Sequence, residues 1–454
     1  MKNRSIWSDT KIKKFKALDK NITTDILIIG GGITGINILY ELKDKDVCLV
    51  ERNKIASGVT LNTTGKLTLL QDILYKIPSD KVNLYLESQI EAIKIIKKRI
   101  DKNNINCDLV KTKSYLFSNE KKEKLEYVKK ILEKNNIKVK ENDLNYLKYK
   151  YSISVEDTYL FNPLKYINGL LNKIDKNIYE NTNIVDIKKF NNKYICKTNK
   201  NKIIANKIVL ASHYPYFIYP YFFPLRCYLE KSYLVAYKKN IENISLINID
   251  KKVISIRNYK DYIIYLKNSC NINKVKDKEK FMELSNIKAD YIWSNIDIMT
   301  SDNLPYIGYI KENFIIATGY NTWGMTNSVI AGHVVKDLIE NKKNKYSKLF
   351  NPKRKNKKII NNAFCTLKGY YEGYKIKNDK IKYTKINGID VMIYIENNKK
   401  YIVKRKCPHA KCNLIFNEIE KTFDCPCHAS RFNLEGKVIK GPSKYDIKYD
   451  YKIY

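Results

Sequence analysis

The sequence predicts a large α/β domain followed by a small all-β domain. Three observations lead to this fold class. A β-α-β unit is indicated over residues 25–51, and alternating apolar strands recur within 184–267. From about residue 370, short strands with turns lead into a segment rich in Cys and His. With 454 residues, 44% of them apolar, the chain is long and hydrophobic enough for roughly two to three packed domains.

Each element follows from a local pattern. Residues 25–29 (DILII) form a short apolar run ending at Gly30, which is typical of a buried parallel strand. Residues 33–43 have helical spacing, and 47–51 (VCLVE) form a second strand. Further along the chain, the patterns predict helices over 81–100 and 119–135, strands within 184–210 and 230–267, a strand, turn and helix over 314–340, and strands at 385–395 and 400–403.

The positive charge of the chain is large but diffuse. Lys and Arg number 85 against 47 Asp and Glu, a formal net charge of +38 spread along the whole sequence. A nucleic-acid site needs charge focused on one face, so we favour a Lys-biased composition over nucleic-acid binding. The exception is residues 341–358, with nine basic side chains and no acid. Pro352 and the weak periodicity there predict a basic linker over 346–369, between domains at 1–345 and 370–454.

The sequence also indicates a cellular setting. No apolar run approaches the ~20 residues of a membrane span, and the N-terminus lacks the apolar core of a signal peptide. Ten Cys in so long a chain do not form a disulfide scaffold. We therefore expect a cytoplasmic protein whose contact with a membrane is at most peripheral.

A glycine cluster marks the start of the α/β domain. Gly30, Gly32 and Gly35 follow a strand and open a helix, which is the spacing of a dinucleotide-binding turn. Glu51 ends the next strand, where a carboxylate can bind the ribose hydroxyls of a dinucleotide. The complete context of strand, helix, second strand and acid predicts dinucleotide binding.

Further segments resemble a known family. Residues 57–68 (SGVTLNTTGKLT), 161–171 (FNPLKYINGLL), 293–308 and 317–339 resemble the D-amino-acid oxidase/glycine oxidase-like (DAO) family of FAD-dependent oxidoreductases. The resemblance implies an α/β Rossmann-like FAD-binding domain with an interleaved α+β substrate domain. It also implies FAD contacts at Gly30, Gly32, Gly35, Glu51, Arg52, Lys66, Val185 (through its backbone), Gly324 and Met325.

Two residues are candidates for catalysis or substrate binding. His213 ends a strand near the predicted flavin crevice, and its alternative role is a structural histidine at a sheet edge. Arg257 is a candidate for an anion or substrate contact, and its alternative role is a salt bridge on a strand. The aromatic run 214–224 predicts core or a wall of the substrate cavity.

The Cys- and His-rich end has a specific spacing. Cys407 and His409 are separated by one residue, and Cys425 and His428 follow after a gap of fifteen. Two Cys and two His could bind zinc. Each segment, however, supplies one Cys and one His, and each carries a further Cys, at 412 and 427.

This arrangement, with Ser430 and Pro442 beyond it, resembles the Rieske 2Fe–2S domain over about residues 370–454. The resemblance implies that Cys407 and Cys425 bind one iron and that His409 and His428 bind the other. It implies a disulfide between Cys412 and Cys427. The second domain is therefore expected to be a small all-β Rieske domain.

Together these observations predict an FAD-dependent dehydrogenase of an amine or amino-acid-like substrate. Electrons would pass from the flavin to the Rieske 2Fe–2S cluster and on to an external one-electron acceptor, such as an acidic carrier protein. Two alternatives stay open: a tRNA- or nucleic-acid-associated flavoprotein, based on charge, and a flavin reductase-type protein in which electrons run in the opposite direction. A Rieske oxygenase is disfavoured because its mononuclear iron needs two further His and a carboxylate.

Overall fold

The structure, a computed structural model of the chain, describes residues 2–144, 147–215, 223–272, 283–284, 286–355 and 359–449. We number its elements in chain order. The α-helices are α1 (Ile33–Glu41), α2 (Ser79–Asn103), α3 (Lys122–Lys134), α4 (Pro163–Leu171), α5 (Phe223–Arg226), α6 (Gly324–Ile339), α7 (Ser347–Phe350) and α8 (Ile359–Lys375). The β-strands are β1 (Ile22–Ile29), β2 (Val47–Val50), β3 (Lys66–Leu67), β4 (Val110–Ser118), β5 (Lys140–Glu141), β6 (Tyr151–Leu160), β7 (Asn177–Tyr179), β8 (Asp186–Phe190), β9 (Lys193–Lys197), β10 (Lys202–Leu210), β11 (Cys227–Lys238), β12 (Ile244–Asn248), β13 (Ile254–Tyr259), β14 (Tyr262–Asn271), β15 (Tyr291–Thr300), β16 (Tyr306–Lys311), β17 (Phe314–Thr318), β18 (Ile381–Ile386), β19 (Ile389–Glu396), β20 (Lys399–Lys404), β21 (Ile415–Asn417), β22 (Thr422–Asp424), β23 (Arg431–Phe432) and β24 (Val438–Lys440).

The first sheet is the dinucleotide-binding sheet that the β-α-β pattern predicted. Its order is β16-β17-β10-β1-β2-β7, and β1 pairs in parallel with both β2 and β10. The β8–β9 hairpin joins through β10. Helices α1 and α6 pack against each other, and Asn37 donates a hydrogen bond to Ser328 between them at 3.1 Å. Strand β1 is buried because apolar side chains cover both faces of a parallel sheet.

The second sheet is formed by chain segments that alternate with those of the first. Its order is β15-β11-β14-β13-β12-β4-β6-β3, with β5 beside β6, and its pairs are antiparallel except for β4 with β12. This sheet confirms the predicted interleaved domain, and β15 forms one of its edges. Two smaller antiparallel sheets, β18-β19-β20 and β21-β22-β23-β24, make up the small C-terminal all-β domain.

The predicted linker differs from the observed structure. The weak periodicity of 346–369 predicted a linker, but α7 lies within this stretch and α8 runs through residue 369 into the C-terminal domain. Arg354 forms a two-pronged salt bridge with Asp302, at 2.6 and 2.8 Å, and its side chain is only 8% exposed. The basic segment is therefore attached to the flavin-side domain as far as residue 355, because its arginine binds a carboxylate there. Residues 356–358 lie outside the described part.

Glycines let α8 pack closely on the C-terminal domain. A Cβ on Gly369 would lie 2.6 Å from the carbonyl oxygen of Pro426, and one on Gly373 would lie 2.5 Å from that of Asn413. Cys412 Sγ also lies 3.7 Å from the carbonyl oxygen of Gly369. The helix therefore lies directly against the two loops that carry the predicted metal ligands.

A buried ionic group joins the C-terminal domain to the second sheet. Glu420 accepts hydrogen bonds from Lys231 of β11 at 2.9 Å and from Ser294 of β15 at 2.8 Å. Within its own domain, Glu420 binds Arg431 at 2.7 Å, and Arg431 also binds Asp424 at 2.9 Å. These contacts hold the small domain at the edge of the second sheet. Among the helices of the described residues, none is long and apolar enough to cross a membrane.

Candidate functional site

The glycine cluster forms one end of a large cavity at the carboxyl ends of the first sheet's strands. Gly30 has a φ of +114°, and a Cβ there would lie 2.8 Å from the carbonyl oxygen of Ala211. A Cβ on Gly35 would lie 1.9 Å from the carbonyl oxygen of Gly30, so only glycine lets α1 approach the strand. Gly32 lines the cavity and is the N-cap of α1, and the Ile33 N–H at the helix start donates to Thr60 Oγ1 at 3.1 Å. The helix N-terminus directs the positive end of its dipole towards a phosphate bound here.

Glu51 and Arg52 also line this end of the cavity. The Glu51 carboxylate accepts hydrogen bonds from the N–H groups of Gly31 at 2.7 Å and Asn53 at 2.8 Å. Burial raises the pKa of Glu51, and these two backbone donors partly offset the rise. Arg52 makes a contact between the domains that the sequence did not indicate. Its guanidinium donates to the carbonyl oxygens of Gly441 and Ser443 in the C-terminal domain, at 3.2 and 3.0 Å.

The same cavity is also lined by a second helix N-terminus. Gly324 and Met325 begin α6, whose first residues face the cavity and whose N-terminus carries no side-chain cap. Trp323, just before the helix, donates its indole N–H to Asp72 at 3.1 Å. Two helix N-termini that line one cavity fit FAD, because one can hold the pyrophosphate and the other the electron-rich edge of the flavin.

Three of the residues implied as FAD contacts do not line the cavity. Gly35 acts through packing, as described above. The Lys66 ammonium is buried and donates to the carbonyl oxygen of Leu246 and to Ser255, each at 2.7 Å. Burial, with Arg257 nearby, holds the pKa of Lys66 well below its usual value. Val185 uses its N–H to bond the carbonyl oxygen of Lys197 at 2.8 Å, while its neighbour Ile184 lines the cavity.

Arg257, a candidate for a substrate contact, is buried among backbone carbonyl groups away from the cavity. It is 1% exposed and does not line the cavity. Its guanidinium donates to the carbonyl oxygens of Thr64, Gly65 and Phe161 at 2.6 to 3.1 Å. The alternative of a strand salt bridge is wrong, since these partners are carbonyl groups. Burial lowers the pKa of Arg257 to about 9.

His213 lies where the sequence placed it, at the flavin cavity. Its side chain is accessible from the cavity, yet surrounding protein desolvates the imidazole and lowers its pKa to about 4. A hydrogen bond to the backbone of Ile296 partly offsets this shift. His213 is therefore a neutral imidazole held against β15. Tyr214 and Ala211 from the aromatic run and the preceding strand also line the cavity, while residues 216–222 of that run lie outside the described residues.

The four predicted cluster ligands are brought together on two facing loops. His409 lies between β20 and β21, His428 lies between β22 and β23, and their ring centroids are 5.0 Å apart. Both ring nitrogens of each histidine are buried and have no hydrogen-bond partner among the described residues. Burial lowers the pKa of His409 to about 4 and that of His428 to about 3, which keeps both imidazoles neutral, as metal ligation requires.

The two cysteines among the predicted ligands, Cys407 and Cys425, lie within hydrogen-bonding distance of each other. A hydrogen bond between the thiols lowers the pKa of Cys407 to about 7 and raises that of Cys425. Ser430, which is fully buried, also hydrogen-bonds Cys407 and accepts the N–H of Ser443 at 3.1 Å. Four orphaned imidazole nitrogens beside two adjacent thiols fit a 2Fe–2S cluster, with the imidazoles on one iron and the thiolates on the other.

The remaining two cysteines of the loops form a disulfide. Cys412 and Cys427 are bonded to each other, 15 residues apart, and tie the two ligand loops together. The Sγ atoms of Cys412, Cys425 and Cys427 lie within 4.8 Å of one another. Because two of these three are bonded to each other, this group is not a separate metal site.

The flavin cavity and the cluster loops meet, and only the tertiary structure reveals this. His428, Pro442 and the loop residues 439–444 line the same cavity as the glycine cluster. The Tyr214 ring also lines it, and its centroid lies 5.8 Å from that of His428 and 6.5 Å from that of His409. Asn295 and Asp297 of β15 line the cavity too. The sequence predicted the run that begins at Tyr214 as core or cavity wall, but it did not predict the contact of Tyr214 with the cluster histidines. It placed Asn295 and Asp297 in a family-like segment without singling them out.

Comparison with known proteins agrees with this geometry. The FAD dependent oxidoreductase (DAO) family matches residues 25–338, and the Rieske [2Fe-2S] domain matches residues 371–449. YhfW of Bacillus subtilis (strain 168), named as a Rieske 2Fe-2S iron-sulfur protein, is 30% identical over 97% of this chain and 96% of its own. OrdL of Haemophilus influenzae, named as an oxidoreductase, is 24% identical over 74% of this chain and 88% of its own.

Solved structures share the fold of the larger domain. Glycine oxidase from Geobacillus kaustophilus has a TM-score of 0.61 at 18% identity and covers 74% of this chain and 99% of its own. The DAO match gives FAD as the cofactor of the larger domain, and the Cys407/His409/Cys425/His428 loops lie within the matched Rieske [2Fe-2S] domain. The chain therefore belongs to the DAO family of FAD-dependent oxidoreductases and carries a C-terminal Rieske 2Fe–2S domain.

Proposed function

We propose that this protein is a dehydrogenase of an amine or amino-acid-like substrate that delivers electrons through its Rieske cluster to an external one-electron acceptor. A bound flavin supplies hydride acceptance and a bound Rieske cluster supplies one-electron transfer. The chain's own residues position these two groups, keep solvent from the space between them and form the substrate side of the cavity.

One observation carries the proposal: the flavin cavity and the cluster loops share a wall. His428 and the Pro442 loop line the cavity into which Gly324 and α6 point. The Tyr214 ring lies between the two sites and is 5% exposed, so it fills space that water would otherwise occupy. Arg52 and Glu420 join the domains at two separate places, through Gly441 and Lys231. This supports transfer from one site to the other without a domain movement.

The N-terminus of α6 supports the role of the cavity in hydride acceptance. Backbone N–H groups of a helix start stabilise negative charge that develops nearby. Substrate would enter on the side formed by Ser232, Leu234 and Leu266 of the second sheet, which line the same cavity. These side chains can hold a substrate in place, which is the main requirement for hydride transfer from an amine.

The protein surface around His409 supports electron transfer to an external carrier. His409 is half-buried, and Lys406 and Lys411 beside it are exposed. Tyr370 of α8 binds the carbonyl oxygen of Ala410, and Tyr371 and Tyr374 of the same helix are 61% and 75% exposed. A cationic and aromatic surface next to a cluster ligand suits an acidic carrier protein. The basic segment 341–355, by contrast, is held against its own domain, which leaves the nucleic-acid alternative with less support.

The test is a single turnover under anaerobic conditions. The holoprotein, with flavin and cluster bound, is mixed with individual amines and amino acids, and absorbance follows the flavin while EPR follows the reduced cluster. We expect flavin bleaching by an amine, followed by the EPR signal of the reduced cluster in the same turnover. A cluster that stays oxidised after the flavin is reduced would contradict the proposal.

Tyr214 provides a matched pair of variants. Tyr214→Phe keeps the ring between the two sites, and Tyr214→Leu removes it. We expect the rate of cluster reduction to fall in Tyr214→Leu and to stay near the wild-type rate in Tyr214→Phe. Equal rates in both variants would show that the ring between the sites does not matter.

A further inference from the structure

The cavity contains an acceptor-rich site on the edge strand of the second sheet. Asn295 and Asp297 of β15 both line the cavity, and Asn295 donates to Asp297 at 3.1 Å. Ile296 between them contacts His213 through its backbone, which places this pair beside the flavin end of the cavity. Neither residue belongs to the glycine cluster or to the metal loops.

Asn295 has an unused acceptor. Its side chain is 6% exposed, and its amide nitrogen is occupied by Asp297. The amide oxygen is buried and has no hydrogen-bond partner among the described residues. A buried carbonyl without a donor costs about 1–3 kcal/mol, so this oxygen indicates a ligand that supplies an N–H or O–H group.

Asp297 faces a second carboxylate instead of a cation. In the β11–β15 ladder it lies directly opposite Glu230, and like charges in directly opposed positions are destabilising. Burial and then Glu230 raise the pKa of Asp297 to about 7. Glu230 itself accepts a hydrogen bond from Ser269. Within the part of the chain that the structure describes, no Lys or Arg forms an ion pair with Asp297.

We propose that Asp297 and Asn295 bind a cationic nitrogen group of the substrate, so that the enzyme selects an ammonium-bearing amine by its nitrogen and not by a carboxylate. This inference rests on the proposed function, because it identifies the substrate class of the same cavity. The site offers a carboxylate and an amide oxygen side by side, which match the donors of an ammonium group. A ligand carboxylate would add a third negative charge beside Asp297 and Glu230.

The position of Arg257 agrees with recognition of the substrate by its nitrogen and not by a carboxylate. Arg257, which the sequence suggested for an anionic substrate, donates to three backbone carbonyl groups and does not line the cavity. The Lys and Arg residues that do line it are Arg52, Lys440 and Lys444. Arg52 binds the carbonyl oxygens of Gly441 and Ser443, and Lys440 lies near His213, Glu420 and Arg431. On β15 itself, Asn295 and Asp297 present oxygen acceptors to the cavity.

The test uses two ligands of the same shape and opposite charge. tert-Butylammonium and pivalate differ in their charged group, and tert-butylammonium has no α-hydrogen, so it cannot reduce the flavin. Each is titrated into the oxidised holoprotein, and binding is followed by calorimetry and by the change in flavin absorbance. The variants are Asp297→Asn and Asn295→Ala, with Asp19→Asn as a control because Asp19 is 64% exposed.

We expect the wild type to bind tert-butylammonium at least about tenfold more tightly than pivalate. Asp297→Asn should weaken the ammonium by about 10- to 100-fold, the range for one charge-assisted hydrogen bond, and should not weaken pivalate. Asn295→Ala should weaken the ammonium several-fold, and it tests the site independently if Asp297→Asn fails to fold. Asp19→Asn should bind both ligands as the wild type does.

Three results would overturn the inference: equal or tighter binding of pivalate, an affinity in Asp297→Asn equal to that of Asp19→Asn, or no binding of tert-butylammonium. The outcome is separable from the proposed function, because binding is measured without turnover. An ammonium site in a protein whose cluster is never reduced would count against the electron route alone.

Discussion

Glu420→Gln is the most direct test of how the two domains are held together. Glu420 binds Lys231 at 2.9 Å and Ser294 at 2.8 Å across the domain boundary, and Arg431 at 2.7 Å within its own domain. The side chains of Lys231, Arg431 and Glu420 are 2%, 5% and 22% exposed. Glutamine keeps the shape of the side chain and part of its hydrogen bonding, but it removes the negative charge that Lys231 and Arg431 share.

The expected cost follows from this burial. Removing one partner of a buried ion pair costs about 3–5 kcal/mol. Because Glu420 keeps some contact with water and Arg431 keeps Asp424 at 2.9 Å, we expect a cost just below this range, about 2–3 kcal/mol. The matched control is Glu435→Gln on the same domain. Its pair with Lys399 is 3.9 Å long and more than half exposed on both sides, so we expect at most a few tenths of a kcal/mol there.

Hydrogen exchange measures this local opening directly. In Glu420→Gln, the amides of the β21–β22 hairpin should exchange about 30- to 150-fold faster, which corresponds to about 2–3 kcal/mol. Slower cluster reduction after substrate addition should accompany the change. If the hairpin exchanges at the same rate in Glu420→Gln as in Glu435→Gln, the reasoning that Glu420 docks the domain is refuted.

The Glu420 carboxylate also predicts that docking of the C-terminal domain depends on pH in acid. Burial alone would raise the pKa of Glu420, but Arg431 and Lys231 hold it well below its usual value. A carboxyl group with a depressed folded-state pKa contributes stability that is present above its unfolded pKa, about 4.3, and is lost as the pH falls below it. Docking in the wild type should therefore weaken in acid, and docking in Glu420→Gln should change less over the same range.

Three further variants test other contacts. Arg257→Met should lower flavin content and cost about 2–5 kcal/mol, because buried carbonyl groups lose their donor; a normal flavin content and melting temperature would contradict the structural role. Gly35→Ala should abolish FAD binding, since its Cβ would lie 1.9 Å from the carbonyl oxygen of Gly30, and FAD retention after purification measures this. Replacing both Cys412 and Cys427 by Ala should cost about 3 kcal/mol of unfolding free energy in the C-terminal domain and lower the iron content; unchanged iron content would show that the disulfide does not support the cluster.

Much of the fold was predictable because local patterns determine it. The first β-α-β unit appeared within a few residues of its expected bounds, since a run of apolar residues and three glycines specify it without help from distant parts of the chain. The linker was predicted less well. Residues 359–375 form α8, and Gly369 and Gly373 of this helix pack against loops far along the sequence. The linker prediction therefore missed a helix that tertiary contacts stabilise.

The site residues divide in the same way. Those in compact motifs, such as Gly30 and His428, lie where the sequence placed them. Single residues named outside such motifs lie away from the cavity: Lys66 donates to the carbonyl oxygen of Leu246, and Arg257 donates to that of Gly65. A lone cation carries no information in the sequence about which carbonyl or carboxylate it meets after folding.

By itself, the sequence determined the two cofactors, because the dinucleotide-binding turn and the four predicted cluster ligands each lie within a short segment, at spacings that turn geometry and metal geometry demand. The tertiary structure alone decided how those cofactors relate. It placed Tyr214 beside His428 on the wall of the flavin cavity, tied Arg52 to Gly441, and placed Asp297 on the wall of the same cavity. These contacts join residues far apart in the chain, so they depend on how sheets and domains pack and not on any local spacing.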